Sequence, residues 1–239
     1  MDAVIGTAGW SIARTAAAAF PAEGTALERY SRVFHGVEIN SSFHRPHRAS
    51  TWAKWGASVP EGFRFAVKVP KTITHQAKLV GTEELAVQFA EEVKPLGRKL
   101  AVLLVQLPPK LGFDADVAER FFTHLRATTE VEIACEPRNA AWFEERADAL
   151  LERLRVARVA ADPALGPAAA VPGGWRGLRY WRLHGSPTMY RSSYTDEALE
   201  GYARQVGEAI SAGSSVWCMF DNTAASAATG NALSLMARL

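Results

Sequence analysis

Eight short apolar runs, most of them separated by segments with helical periodicity, constrain this chain more than any other feature. They are AVIGTA near residue 5, GVEIN ending at Asn40, FRFAVKV ending at Val69 and LAVLLVQL ending at Leu107. VEIACE ends at Glu136, ARVAAD at Asp162, RYWRLHG at Gly185 and VWCMFDN at Asn222. Most are rich in β-branched or aromatic residues and too short for buried helices, as expected of buried parallel strands. Between them, TALERYSRVF opens with Thr25 and carries Glu28 three residues on, which predicts a capping box. GTEELAVQFAEEV, DADVAERFFTHL, AWFEERADALLERL, TDEALEGYARQVGEAI and the final TAASAATGNALSLMARL have apolar positions at helical spacing. STWAKW places Trp52 and Trp55 on one helical face, where packing is the simplest role.

Strand–helix alternation predicts an α/β fold, and eight strands in 239 residues predict a single (β/α)8 TIM barrel occupying residues 1–239 as one domain. A doubly wound open sheet is the runner-up. It fits less well because no glycine-rich phosphate loop follows the first strand. One connection breaks the rhythm. PALGPAAAVPGGWRGL, between the sixth and seventh strands, holds too much Pro and Gly for a regular helix.

Composition narrows the function classes. The net charge of +2 is too mild to argue for nucleic acid. From Arg29 to Lys71, however, eight bases face two acids, a bias that suits an anionic ligand as well as a solvated surface. Cys135 and Cys218 lie in apolar runs, so a disulfide framework is not expected. No secretory signal and no long apolar span is visible, which predicts a cytoplasmic protein without a membrane partner. Nothing in the residues speaks for a particular oligomeric state.

Seven of the eight strands end in polar or charged residues. In a barrel those ends converge on one mouth, where catalytic groups collect. Residues i and i+2 share a face of a strand, so Glu38 with Asn40, and Arg182 with His184, point inward together while Ile39 and Leu183 face the helices. Glu136 and Arg138 do the same if the chain stays extended through Pro137. Lys68, Gln106, Asp162 and Asn222 complete the set, with His75 beyond the third strand. The polar loop SPTMYRSSY after His184 brings Tyr190 over the mouth.

Guanidinium forks and a lysine suit a phosphate or carboxylate. The reading is therefore an enzyme acting on a small anionic or phosphorylated substrate without a redox cofactor. Lys68, Arg138 and Arg182 bind the anion, Glu38 or Glu136 moves a proton and His184 assists. Asn40, His75, Gln106, Asp162, Tyr190 and Asn222 line the substrate. Three alternatives stand beside it. One is a structural ion-pair network closing the barrel top, such as Glu136 with Arg182. Another is a metal-dependent phosphodiesterase or nuclease of the endonuclease IV type, with a divalent metal on Glu38, Glu136, Asp162 and His184 and a basic rim of Arg45, Arg48 and Lys71. The neighbouring cations count against that metal, and no short metal motif is present. The last is a non-catalytic ligand-binding protein.

Taken in order, IGTAGWS, YSRVFHGVEINSSFHRP, FRFAVKVPKTITHQAKL, LLVQLPP, EPRNAAWF, WRLHG and FDNTAASAATGNAL resemble the YecE-like proteins, a TIM-barrel group catalogued as a domain of unknown function. The resemblance spans nearly the whole chain and implies the barrel fold. It implies as motif positions Glu38, Asn40, Lys68, His75, Gln106, Glu136, Arg138, Arg182, His184 and Asn222. The chain departs where His44 follows Phe43 in place of the family's tyrosine, and where RPH replaces a leucine-proline. The family carries no settled activity.

Overall fold

The computed structural model describes residues 3–239. Ten strands and seven α-helices alternate along it. Strands β1 (Val4–Thr7), β2 (Gly36–Ile39), β3 (Arg64–Lys68), β4 (Leu100–Gln106) and β5 (Glu132–Glu136) are followed by β6 (Val156–Arg158) and β7 (Ala160–Asp162). The short β8 (Gly173–Gly174), β9 (Leu178–Leu183) and β10 (Ser215–Phe220) complete the set. The helices are α1 (Ala26–Ser31), α2 (Ala49–Ala57), α3 (Glu83–Val93), α4 (Ala115–Thr128), α5 (Glu145–Arg153), α6 (Asp196–Ser211) and α7 (Ala228–Met236). The capping box at Thr25 and Glu28 forms, with each side chain taking the other's backbone N–H.

The strands make two sheets, β1-β10-β9-β7 and β2-β3-β4-β5-β6-β8, parallel throughout except for the β6–β8 pair. Between Asp162 and Leu178 there is only a 3-10 turn at Pro167–Ala169 and the strand β8, with no α-helix. Only Val159 separates β6 from β7, and its N–H donates to Cys135 O at 2.8 Å. At the other junction Ala8 forms a parallel bridge to Glu38. Here β1 and β2 approach so closely that a Cβ on Gly6 would collide with Gly36 O. The Tyr30 hydroxyl fills in for missing ladder bonds: it accepts from Thr7 N at 2.9 Å and donates to Gly36 O at 3.2 Å.

The i, i+2 alternation sorts the side chains into two cores. Ala66, Val102, Leu104, Ala134, Ala157, Val159, Tyr180, Trp217 and Met219 pack together on the inner side. Ile39, Val67, Leu103, Cys135, Leu183, Cys218 and Phe220 join the helices in the larger outer core. Carrying the inner phase two residues further, toward the strands' C-terminal ends, reaches Lys68, Gln106, Glu136, Arg182 and Asp221, and the same step from Gly36 reaches Glu38. No helix among the described residues is long and apolar enough to cross a membrane.

Candidate functional site

Arg182 is the centre of the site. It is wholly buried, and all three of its nitrogens are engaged: Nε donates to Glu38 Oε2 at 2.9 Å, Nη2 to Glu38 Oε1 at 2.5 Å, and Nη1 to Glu136 Oε2 at 2.5 Å. Nη2 also reaches Asp221 Oδ2 at 3.1 Å. Tyr180, two residues before Arg182 on β9, donates from its hydroxyl to Glu38 Oε2 at 2.9 Å. An isolated buried guanidinium would be prohibitively costly; three carboxylates around it offset that cost.

His184 forms the next layer, with Nδ1 3.0 Å from Asp221 Oδ2 and Nε2 3.1 Å from Glu136 Oε1. Arg138 Nη2 lies 2.6 Å from His184 Nε2 and also pairs with Glu136 Oε1. Arginine has donors only, so the Arg138 contact needs a lone pair on Nε2, whereas the Glu136 contact needs a proton there; the two compete for one ring nitrogen, while Nδ1 faces Asp221. Burial opposes ionisation of Glu136, but Arg182, then Arg138 and His184, overcome it and hold the carboxyl well below the usual glutamate range. Asp221 is likewise lowered, with Arg182 and then His184 outweighing its burial.

Lys68 differs from the other cations. It ends β3, is only 8% exposed, and among the described residues no carboxylate oxygen lies within 4.0 Å of its amine. Its Nζ sits 4.1 Å above the centroid of the Phe43 ring. Burial, reinforced by the positive charge of Arg182, brings the amine down to about 8, although Glu136, Glu38 and Asp221 pull the other way. His75, in a wide helical turn at Thr72–Gln76, packs edge-on against the same Phe43 ring and pairs Nδ1 with Thr74 Oγ1 at 2.9 Å. Burial and then the charge of Lys68 lower its imidazole. Phe43 also lines a cavity of about 210 Å³, together with Arg45, Pro70, Lys71, Ile73 and Phe89.

The structure brings together Glu38, Glu136, Arg138, Arg182 and His184, with Lys68 and His75 close by around Phe43. Gln106 lies beside Glu136 in the β4–β5 register. Tyr190 arches over His184, ring centroids 5.5 Å apart, in a left-handed conformation (φ 65°) that a tyrosine adopts only under constraint. Asn40 has already left the extended conformation (φ −97°, ψ −15°), so the i+2 argument does not carry over to it; its Oδ1 is buried without a partner among the described residues.

Two expected ligands face the other way. Asp162 is out of phase with Val159 and accepts from the Tyr194 hydroxyl at 2.7 Å. Asn222 donates to Ser192 O and to Asn231 Oδ1, both at 2.9 Å, on the α7 side. The inward group just after β10 is Asp221, and the alternation Trp217, Met219, Asp221 was the signal for it. Phe43 and Tyr180 were also missed as site residues; the alternation Tyr180, Arg182, His184 carried the second, while nothing in the sequence placed Phe43 under Lys68.

The metal set drawn from the sequence does not assemble, because Asp162 is turned away and the Arg182 guanidinium stands between Glu38 and Glu136. Among the described residues no cluster of three or more His, Cys, Asp and Glu side chains is arranged to hold a metal ion. The Arg182–Glu136 pair raised as a structural alternative is present, as part of a larger network. Glu38, Glu136 and His184, expected to do the chemistry, are fully buried with their polar atoms already engaged.

Parallel strands alternating with helices, and a charged cluster at the strands' C-terminal ends, define a TIM-barrel-like α/β protein. A fold neighbour agrees: a fusion protein described as xylose isomerase-like TIM barrel/4-hydroxyphenylpyruvate dioxygenase superposes with a TM-score of 0.53 at 12% identity, covering 91% of this chain and 40% of that one. The chain belongs to the family described as "Protein of unknown function DUF72", whose model matches residues 4–239. It is 33% identical over 88 residues to UPF0759 protein YecE of Escherichia coli K12, covering 37% of this chain and 32% of that protein. It is 30% identical over 149 residues to UPF0759 protein YunF of Bacillus subtilis 168, covering 58% and 51%. The matched segments thus span about a third and about half of those relatives' lengths. A crystal structure of a DUF72 family protein from Enterococcus faecalis V583 superposes with a TM-score of 0.85 at 21% identity, covering 100% of this chain and 95% of that one.

Proposed function

We propose that this protein is an enzyme that binds a small anionic or phosphorylated substrate above Arg182 and acts on it by acid–base chemistry. In this reading the two sheets work as one closed eight-stranded barrel in a single domain. The stretch between Asp162 and Leu178 is its one irregular crossover. The observation that carries the reading is the contrast between two kinds of cation. Arg182 is saturated by carboxylates, whereas among the described residues Lys68 has none within 4.0 Å, and Arg138, paired with Glu136 through Nη2, has its buried Nε without a partner. A cation kept unpaired near a strand end is costly unless a ligand completes it.

The roles expected from the sequence shift accordingly. Arg182, Glu38 and Glu136 are positioning residues that hold the floor of the site. Lys68 and Arg138 meet the anion, and the Lys68 amine, near neutrality in its titration, moves the proton. His184 orients Arg138, and Tyr190 closes over them.

A thermal-shift screen of phosphate monoesters and small carboxylates tests the reading. Stabilisation of the native protein by members of one chemical class, lost in Lys68→Met and weakened in Arg138→Met, is expected. Anions that stabilise the native protein and Lys68→Met equally would overturn it. Turnover of the compounds that bind then separates an enzyme from a binding protein.

A further inference from the structure

We propose that Lys68 is a Schiff-base-forming nucleophile, whose amine condenses with the carbonyl carbon of a substrate that also carries a carboxylate or phosphate. This rests on the anion-site reading above and narrows its substrate class to aldehydes or ketones bearing an acidic group.

Four features of the site support it. Of the seven lysines in the chain, Lys68 alone is buried. Others are exposed or tied up, as where Lys94 meets Glu91 at 3.0 Å or Lys99 donates to Gly56 O and Val59 O at 2.7 Å. The Lys68 backbone is held, because the Ser42 hydroxyl donates to Lys68 O at 2.7 Å, so the amine is presented from a fixed strand end. Among the described residues no carboxylate oxygen pairs directly with the amine, and burial brings it down to about 8, so a fraction of it carries a free lone pair near neutral pH. Finally, the Phe43 ring beneath Nζ stabilises a cation, and a protonated imine is a cation in the same position.

The chemistry balances with these groups and water. The neutral amine attacks the carbonyl carbon, a C–N bond forms, and the C=O π pair moves to oxygen, which takes up a proton. The nitrogen loses a proton, that proton is passed to the hydroxyl so that it leaves as water, and the nitrogen lone pair completes the C=N bond of the protonated imine. One water is released and no redox partner is needed. His75, packed on the same ring with Nδ1 on Thr74, has its other ring nitrogen without a partner among the described residues and is the group positioned to carry these protons. The substrate's acidic group then falls to Arg138.

Reductive trapping tests the inference on the whole native protein. Glyoxylate, an aldehyde with its own carboxylate, is added with cyanoborohydride at neutral pH, and labelled lysines are mapped by peptide mass spectrometry over time. Lys68 should be labelled at least about tenfold faster than each other lysine, since a lower pKa exposes more free amine. Glycolate, which has the charge but no aldehyde, should slow that labelling. Lys68→Arg keeps the cation and should lose the label. Labelling of Lys68 no faster than that of the exposed lysines overturns the Schiff base. If glycolate still stabilises the native protein in that case, the anion site survives without it; if glycolate has no effect either, both readings fall. The map of the native protein decides this even if the variant does not fold.

Discussion

Arg182 grips Glu38 along one edge of its guanidinium, Nε to Oε2 at 2.9 Å and Nη2 to Oε1 at 2.5 Å, with neither residue exposed. The two are 144 positions apart in sequence, on β9 and β2, strands that belong to different sheets. The pair is therefore a tie between the sheets as well as the floor of the site. Its Coulomb attraction is not pure gain, because both charges lost their water to make it. Removing one partner leaves the other buried and underpaired. Glu38→Gln should lower unfolding stability by about 3–5 kcal/mol. Urea denaturation checks this, and an unchanged midpoint would mean that Glu136 and Asp221 suffice for Arg182.

Acid should weaken the fold through Glu136 and Asp221. Both carboxyls are lower in the folded protein than in the unfolded chain, so the unfolded state binds protons first as pH falls. The stability they contribute is complete above the ordinary carboxylate range and declines through the folded values below it. Urea titrations between neutral pH and about pH 3 should show a steep loss, and Glu136→Gln should flatten it while lowering the neutral-pH plateau. Parallel curves for the two proteins would count against the assignment.

Lys68 has the same sign of pH dependence, in the alkaline range. Its folded value of about 8 lies below the ordinary 10.5, so between these values the unfolded chain holds more protons than the folded one. Stability should accordingly rise with pH across that window. The charges felt at this amine are those of Arg182, Glu136, Glu38 and Asp221, and His75 feels the amine in turn. Lys68→Met should abolish the rise and stabilise the protein at neutral pH by about 0.5–2 kcal/mol, the usual exchange of function for stability. Thermal melts across the alkaline range provide the comparison.

Neighbouring residues on β10 and beyond should separate function from packing. Asp221→Asn removes an inward charge on Arg182 and His184, and should change anion affinity by roughly an order of magnitude or more. Asn222→Ala breaks two outward hydrogen bonds and should cost about 1–3 kcal/mol of stability with affinity unchanged. Calorimetric titration and denaturation of both variants decide it; the reverse pattern would mean that the phase assigned to β10 is wrong.

Tyr30→Phe tests the junction of β1 and β2. Without the hydroxyl, Thr7 N–H and Gly36 O lose the group that joins them, at a cost of about 1–3 kcal/mol. Amide exchange should quicken at Thr7 before it does elsewhere on β1. Exchange that stays slow at Thr7 would show that the strands pair without help.

The sequence by itself determined the elements and much of the charged set. Short apolar runs of β-branched residues could only be strands with both faces covered, and Thr25 with Glu28 could be read as a helix start, because these preferences act over a few residues. The same local rule, period two, paired Arg182 with His184 and sent Leu183 to the helices. Tertiary structure decided the rest. Whether Asp221 or Asn222 turns inward depends on where the phase of β10 stands against its neighbours. Which acids surround Arg182, and which cation is left without one, depends on strands brought together from distant parts of the chain. Phe43 comes to lie under Lys68 only because the turn after β2 packs against the end of β3. Local sequence encodes alternation, but the environment of a buried charge is set by whatever replaces its water, and that is known only once the strands are side by side.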